Sequence, residues 1–173
     1  MTKTTGFYTG IGSREVAPDI AHLLTRIARH LAATGNILRT GGARGVEKAL
    51  RQGAEEDCEV FLPYQIVRGT VQEELPHLLA ATRIAEGLHP DWPEYNPFSR
   101  RAHILSVYQL LGADLNTPSD FLLCYAPIDS HGLIQGATRT AVALAAVQGI
   151  RCYNLFQERV RWKFRARLDE LQP

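Results

Sequence analysis

The sequence is poor in charge of either sign in excess: 19 Lys and Arg against 18 Asp and Glu leave a formal net charge of +1. A chain this close to neutral lacks the bulk field of a nucleic-acid or membrane-surface binder. There is no run of about 18 apolar residues, so no membrane span is expected. The opening Met1-Thr2-Lys3-Thr4-Thr5 has no apolar stretch of the signal-peptide kind. The three cysteines, Cys58, Cys124 and Cys152, are odd in number and lack C-x-x-C spacing. That excludes a disulfide framework and leads to the expectation of buried, reduced thiols in a cytoplasmic protein. The six histidines show neither H-x-x-x-H spacing nor a mixed Cys/His set, so no metal is expected.

Several motifs are missing as well. G-x-G-x-x-G fails because Glu15 stands where its third glycine belongs, and no acidic residue closes the second strand. G-K-[S/T] is absent, which removes the P-loop, and Ser13, Ser119 and Ser130 lack the G-x-S-x-G context of a nucleophile. No cofactor is therefore expected. Neither an internal repeat nor a low-complexity segment is present.

What remains is a chain of 173 residues with 45% hydrophobic content, enough for one domain (1–173) with a full core. Strands are expected at 6–12, 36–40, 59–63, 120–125 and 150–155. Between them fall helices at 17–34, 44–57, 99–112 and 138–148, with a further helix over the tail 156–171. In the first helix Ile20, Leu23, Leu24, Ile27 and Leu31 recur at helical spacing, Pro18 suits the first turn and Gly35 the stop. Strands alternating with helices, and apolar throughout, predict an α/β fold: a Rossmann-like three-layer sandwich around a mainly parallel sheet of about five or more strands. The segment 65–98 breaks the rhythm. It holds Pro76, Pro90, Pro93 and Pro97, with a helix expected around 70–87 and an irregular insertion over 88–98.

Two glycine turns follow strands one and two: Gly10-Ile11-Gly12-Ser13-Arg14 and Gly41-Gly42-Ala43-Arg44-Gly45. Glycine permits close approach of backbone to a ligand, and the helix start behind each turn offers free N–H groups to an anion. Ligands of open α/β sheets bind outside the carboxyl ends of the strands, where a third loop, Gly136-Ala137-Thr138-Arg139-Thr140, also falls. Arg14 and Arg44 are either bidentate phosphate partners or solvated helix-start arginines. Glu47 either accepts from a ribose hydroxyl or favours the helix dipole. Arg100, Arg101 and His103 start a helix that cations oppose, which asks for a second reason such as an anion. His22 and His30 read as surface residues, and His89 and His131 as loop residues.

These stretches, together with Val46-Glu47, Arg100-Arg101-Ala102-His103 and Pro118-Ser119-Asp120-Phe121, resemble the SLOG superfamily over about residues 6–155. That group holds the DNA-processing Smf/DprA proteins, the LOG phosphoribohydrolases and many small phage and plasmid proteins; the likeness is nearest to small DprA-like phage and plasmid members. The resemblance implies a nucleotide or nucleotide-derived small molecule as partner, with single-stranded nucleic acid as the other candidate, and a homo-oligomer. It implies a ligand-binding set of Gly10, Gly12, Ser13, Arg14, Gly41, Gly42, Ala43, Gly45, Glu47, Arg101, His103, Gly136, Thr138, Arg139 and Thr140. LOG hydrolases resemble P-G-G-x-G-T-x-x-E; aligned on Thr140, their glutamate falls at Ala143 and their second glycine at Ala137. Binding as a sensor or sponge is thus expected ahead of N-glycosidic hydrolysis, for which Glu47 and Glu15 are the candidate carboxylates. The basic tail (Arg159, Arg161, Lys163, Arg165, Arg167) is either a nucleic-acid contact or a solvated face.

Overall fold

The computed structural model describes residues 6–66 and 75–171. Five strands, β1 (Gly6–Gly12), β2 (Asn36–Gly41), β3 (Cys58–Phe61), β4 (Phe121–Tyr125) and β5 (Arg151–Asn154), form one all-parallel sheet. Their order is β3-β2-β1-β4-β5. The chain therefore runs outward from β1 to β3, then crosses back to β4 on the other side of β1. The carboxyl ends of β1 and β4 flank the reversal, where an open α/β sheet leaves a crevice.

Helices α1 (Pro18–Ala33), α2 (Val46–Ala54) and α6 (Glu158–Glu170) cover one face of the sheet. The other face carries α3 (Leu78–Gly87), α4 (Pro97–Leu111) and α5 (Thr138–Gln148). The period of two in a strand sets the sides: Tyr8 packs with the α1/α2 core, Ile11 with the α4/α5 core. α4 is buried at every position from His103 to Leu111, as a helix with cover on all sides must be. Pro97 suits its first turn, and the Asn96 side chain caps it by accepting from the Ser99 N–H at 2.8 Å. Buried polar groups tie the layers together. Thr9 donates to the Gln109 carbonyl (2.7 Å) and lies 2.9 Å from the Ser119 hydroxyl; Thr40 donates to the Gly10 carbonyl (2.6 Å).

Most elements fall where the sequence predicts them. α2 is shorter than the expected 44–57, ending at Ala54 because Glu55 takes a positive φ of 54°. The helix expected at 70–87 begins at Leu78; its first part, 70–74, lies outside the described residues. The tail is helical, as expected. Residues 88–98, expected as an irregular insertion, hold a 3-10 turn (Trp92–Glu94) and pack His89 and Trp92 into the core. One expectation needs correction. Cys152 is not buried, because β5 is an edge strand; Cys58 is half-buried, Cys124 is buried, and all three are free thiols.

Candidate functional site

A cleft of roughly 1040 Å³ opens at the carboxyl ends of the strands. It draws on both glycine turns, the first turns of α4 and α5, and the loop after β4. Of the residues expected to bind ligand, Gly12, Ser13, Arg14, Gly41, Gly42, Ala43, Glu47, Arg101, His103, Gly136 and Thr138 line it. Gly10, Gly45, Arg139 and Thr140 do not.

The glycines have a more internal reason to be there than ligand approach. A Cβ on Gly10 would run into Leu50 and lie 2.8 Å from Leu38 Cδ1. On Gly12 it would strike the Tyr125 carbonyl, and on Gly45, which also has a φ of 76°, the Ser13 carbonyl. These three let β1, α2 and the two turns close on one another. The closure is sealed by Ser13 N–H donating to the Tyr125 carbonyl (2.9 Å) and Val46 N–H to the Ser13 carbonyl (3.0 Å). Gly42 and Gly136 are the open ones. A Cβ on Gly42 would meet only the tip of Leu62 at 2.5 Å, and on Gly136 nothing within 4 Å.

The second turn already holds an anion of the chain's own. Glu47 Oε2 accepts from the Ala43 N–H at 2.7 Å, while Arg51 donates to the Gly41 carbonyl. Glu47 is buried, and this burial pushes its carboxyl above the usual carboxylate range, against the opposing pull of the Ala43 N–H, Arg51 and Arg14. Beside it lies Gln109 of α4, 3% exposed, whose amide makes no hydrogen bond among the described residues and whose Oε1 is buried without a partner. Glu15, by contrast, sits outside the cleft in an ion pair with Arg44 (3.1 Å) whose side chains are 85% and 70% exposed. So exposed a pair contributes little.

Arg14 stands at the mouth with its guanidinium 5.9 Å from the ring centre of Phe98. Arg101 has no carboxylate partner among the described residues. α5 has no side-chain cap at Ala137. Its Arg139 and Thr140 N–H groups donate to the Gly136 and Ala137 carbonyls (both 3.0 Å). That leaves the N–H groups of Ala137 and Thr138, two residues that line the cleft, without a hydrogen bond among the described residues.

Thr140 is fully buried and serves two imidazoles instead of a ligand: His103 Nδ1 at 2.6 Å and His89 Nε2 at 2.7 Å. The ring of His103 stacks on Tyr95 (4.7 Å between centres) and meets His89 and Trp92 edge-on. Burial, then His89 and Arg139, lower the His103 pKa to about 4; burial and Arg139 lower that of His89, against Asp91. Both rings are therefore neutral at pH 7, and one hydroxyl can donate to only one of them. His89 Nδ1 is buried without a partner. An orphaned acceptor is cheaper than an orphaned N–H, which assigns the proton of His89 to Nε2 and leaves His103 Nδ1 to accept from Thr140.

Sequence reasoning missed His89, Trp92, Tyr95 and Gln109. The aromatic density of 88–98 was the available signal; Gln109 had none, sitting inside an apolar helix. It also missed Asp129, which holds the loop after β4 by accepting from the His131 and Leu133 N–H groups (both 2.9 Å) and from Gln135 (2.7 Å). These hydrogen bonds keep its carboxyl below the usual range. Among the described residues no group of three His, Cys, Asp or Glu could hold a metal.

Fold and site together define a Rossmann-like α/β protein with one large crevice at the strand reversal. No protein-family model matches the chain, and no curated protein matches it. Among solved structures it is similar to DNA processing protein A from Helicobacter pylori, described for its single-stranded DNA binding mode. The two share 15% identity over 95% of this chain and 81% of that one, with a TM-score of 0.44.

Proposed function

We propose that the protein binds a nucleotide or a nucleotide-derived small molecule in the cleft, as a sensor or sponge. The observation that carries this reading is that the free Ala137 and Thr138 N–H groups at the start of α5 share the cleft with Arg101, which has no carboxylate partner among the described residues. Helix N–H groups and a guanidinium together bind a phosphate. Phe61, Leu62 and Leu105 give the cleft an apolar wall for a base, and its volume suits a ligand of nucleotide size. The test is mass spectrometry of small molecules released from the purified protein, then calorimetry of what appears against wild type and Arg101→Ala. The variant is expected to bind at least about tenfold more weakly, the loss of one charge-assisted hydrogen bond. Failure of every nucleoside mono- and diphosphate to bind wild type would refute the reading.

One observation favours a second reading. Phe98 is 61% exposed at the mouth, beside Arg14, where an unpaired base of a single strand would stack. Oligonucleotides would then bind more tightly than mononucleotides, with an affinity that falls steeply with salt. The basic tail adds less to it: Arg161 donates to the carbonyls of Leu155 and Phe156, Arg165 pairs with Asp19, and Arg167 with Glu170. For hydrolysis, Glu47 is the better placed of the two candidate carboxylates, and release of free base from nucleoside 5′-monophosphates would reveal it.

A further inference from the structure

Two thiols meet away from the cleft, on neighbouring strands at the free edge of the sheet. Leu122 pairs with Cys152 and Cys124 with Asn154, so the two cysteines sit two residues out of step. The period of two in a strand puts both on one face, the one under α5. Their sulfurs are 4.0 Å apart. Cys124 is fully buried, whereas Cys152 is exposed on the edge strand. Distance alone lets either thiol donate; burial decides. A buried thiol keeps its proton, and an exposed one beside a donor gives its own up. The contact with Cys152, then burial, raises the Cys124 thiol well above its usual range. The hydrogen bond from Cys124 lowers that of Cys152, against an opposing effect of burial. The charged groups nearby are Asp120 just before β4, Arg151, which alternation puts on the opposite face, and Arg139 at the far end of α5. Neither thiol owes its shift to any of them. The two sulfurs are not set to join. With strands about 4.8 Å apart and a rise of about 3.3 Å per residue, positions two residues out of step have Cα atoms about 8 Å apart. A disulfide spans at most about 7 Å. The pair suits a hydrogen bond and not a bridge.

We propose that Cys152 is a modification site, an activated thiolate that exchanges with low-molecular-weight disulfides, and that Cys124 is the positioning residue that activates it. The Cys152 thiolate attacks one sulfur of the small disulfide, whose S–S bond breaks. The other half leaves as a thiolate and takes a proton from water. The product is a mixed disulfide: Cys152 is oxidised and the departing half reduced. Cys124 keeps its proton throughout and lacks the reach to displace the new group. The site is independent of the cleft, which neither cysteine lines. Cys58, on the opposite edge strand, supplies the contrast. Its thiol donates to the Glu55 carbonyl at 3.2 Å, and burial raises it against the pull of Arg51.

The test is the rate at which the folded protein reacts with dithionitrobenzoate between about pH 6 and about pH 9, across the ordinary thiol range. Wild type is compared with Cys152→Ser, Cys58→Ser, Cys124→Ala and Cys124→Ser. The fast phase of wild type is expected to vanish in Cys152→Ser and to survive in Cys58→Ser. Cys124→Ala should slow it at pH 7 by at least about twofold and move its midpoint to higher pH. The scarcer thiolate outweighs its greater nucleophilicity, because rate follows thiol basicity with a slope of only about 0.4–0.5. Cys124→Ser, whose hydroxyl still donates, should restore both rate and midpoint. Cys124→Val, apolar and of like size, replaces the alanine variant should that one fail to fold. Glutathione disulfide should leave one mixed disulfide per chain, on Cys152 in a peptide map. A merely structural role for Cys124 lowers the melting temperature and leaves the midpoint of the Cys152 reaction in place, which overturns the proposal. So does a fast phase that belongs to Cys58, or a Cys124–Cys152 bridge in the map.

Discussion

Mild acid is expected to loosen this fold through His103. Its ring is buried between Tyr95, His89 and Trp92, and Thr140 holds its Nδ1. Burial first, then the neighbouring His89 and Arg139, bring its pKa from 6.5 to about 4. Above pH 6.5 the ring is neutral in both folded and unfolded chains, and its contribution to stability is fully present. Between 6.5 and about 4 the unfolded chain takes up a proton that the folded one refuses, so stability falls as pH falls. Each unit is worth about 1.4 kcal/mol, which makes the loss about 2.5 kcal/mol between about pH 7.5 and about pH 4.5. His89, lowered by burial and Arg139, acts in the same direction, whereas Glu47, raised by burial, acts against it. The His103 share is isolated by comparing urea unfolding of wild type with His103→Gln, whose amide can still meet Thr140 but does not titrate. The advantage of wild type over the variant should shrink by about 2 to 3 kcal/mol across that range. Two curves that stay parallel to within about 0.5 kcal/mol would refute the assignment of a suppressed proton to this ring.

Gly10→Ala should cost about 1–3 kcal/mol in urea unfolding, because the new methyl group meets Leu50 and Leu38, while ligand affinity by calorimetry stays at the wild-type value. An affinity loss in a folded variant would return Gly10 to the cleft. Trp92→Ala should cost about 3–5 kcal/mol, since the indole is buried under Tyr95 and His103; a loss below about 1 kcal/mol would mean that 88–98 is not part of the core.

The fold was legible because its signals are local and repeated. Strand β4 is continuously apolar, and α1 carries five aliphatic residues on one stripe between Pro18 and Gly35. The place of the site followed from the parallel order alone, since turns after β1, β2 and β4 must share an edge. What each residue does there was less legible. Gly10, Gly12 and Gly45 look like a phosphate cradle in sequence because the requirement they meet, no side chain at that spot, is the same whether the neighbour is a ligand or Leu50, Tyr125 or Ser13. His103 and Thr140 look in sequence like ligand contacts. His103 does line the cleft, but Thr140 is buried between His103 and His89, and His89 comes from a proline-rich stretch whose path no periodicity reveals. Arg39 was invisible for a related reason. Inside a strand its charge is met by Glu59 at 2.8 Å, the Thr117 carbonyl and the Phe7 ring 3.7 Å away, partners supplied by three separate parts of the chain.

The position of β1 in the strand order sets a schedule for folding. β1, α1, β2, α2 and β3 are consecutive and can assemble as they leave the ribosome, with Gly6–Thr9 pairing to Asn36–Arg39. The other edge of β1 then stays bare until Phe121–Tyr125 is synthesised, and Thr9 waits 100 residues for the Gln109 carbonyl that satisfies it. Contacts this distant in sequence form late and slowly. Meanwhile an unpaired, apolar parallel edge stands open to other chains. Early translation is thus the moment at which this protein is most exposed to aggregation, and the arrival of β4 ends it.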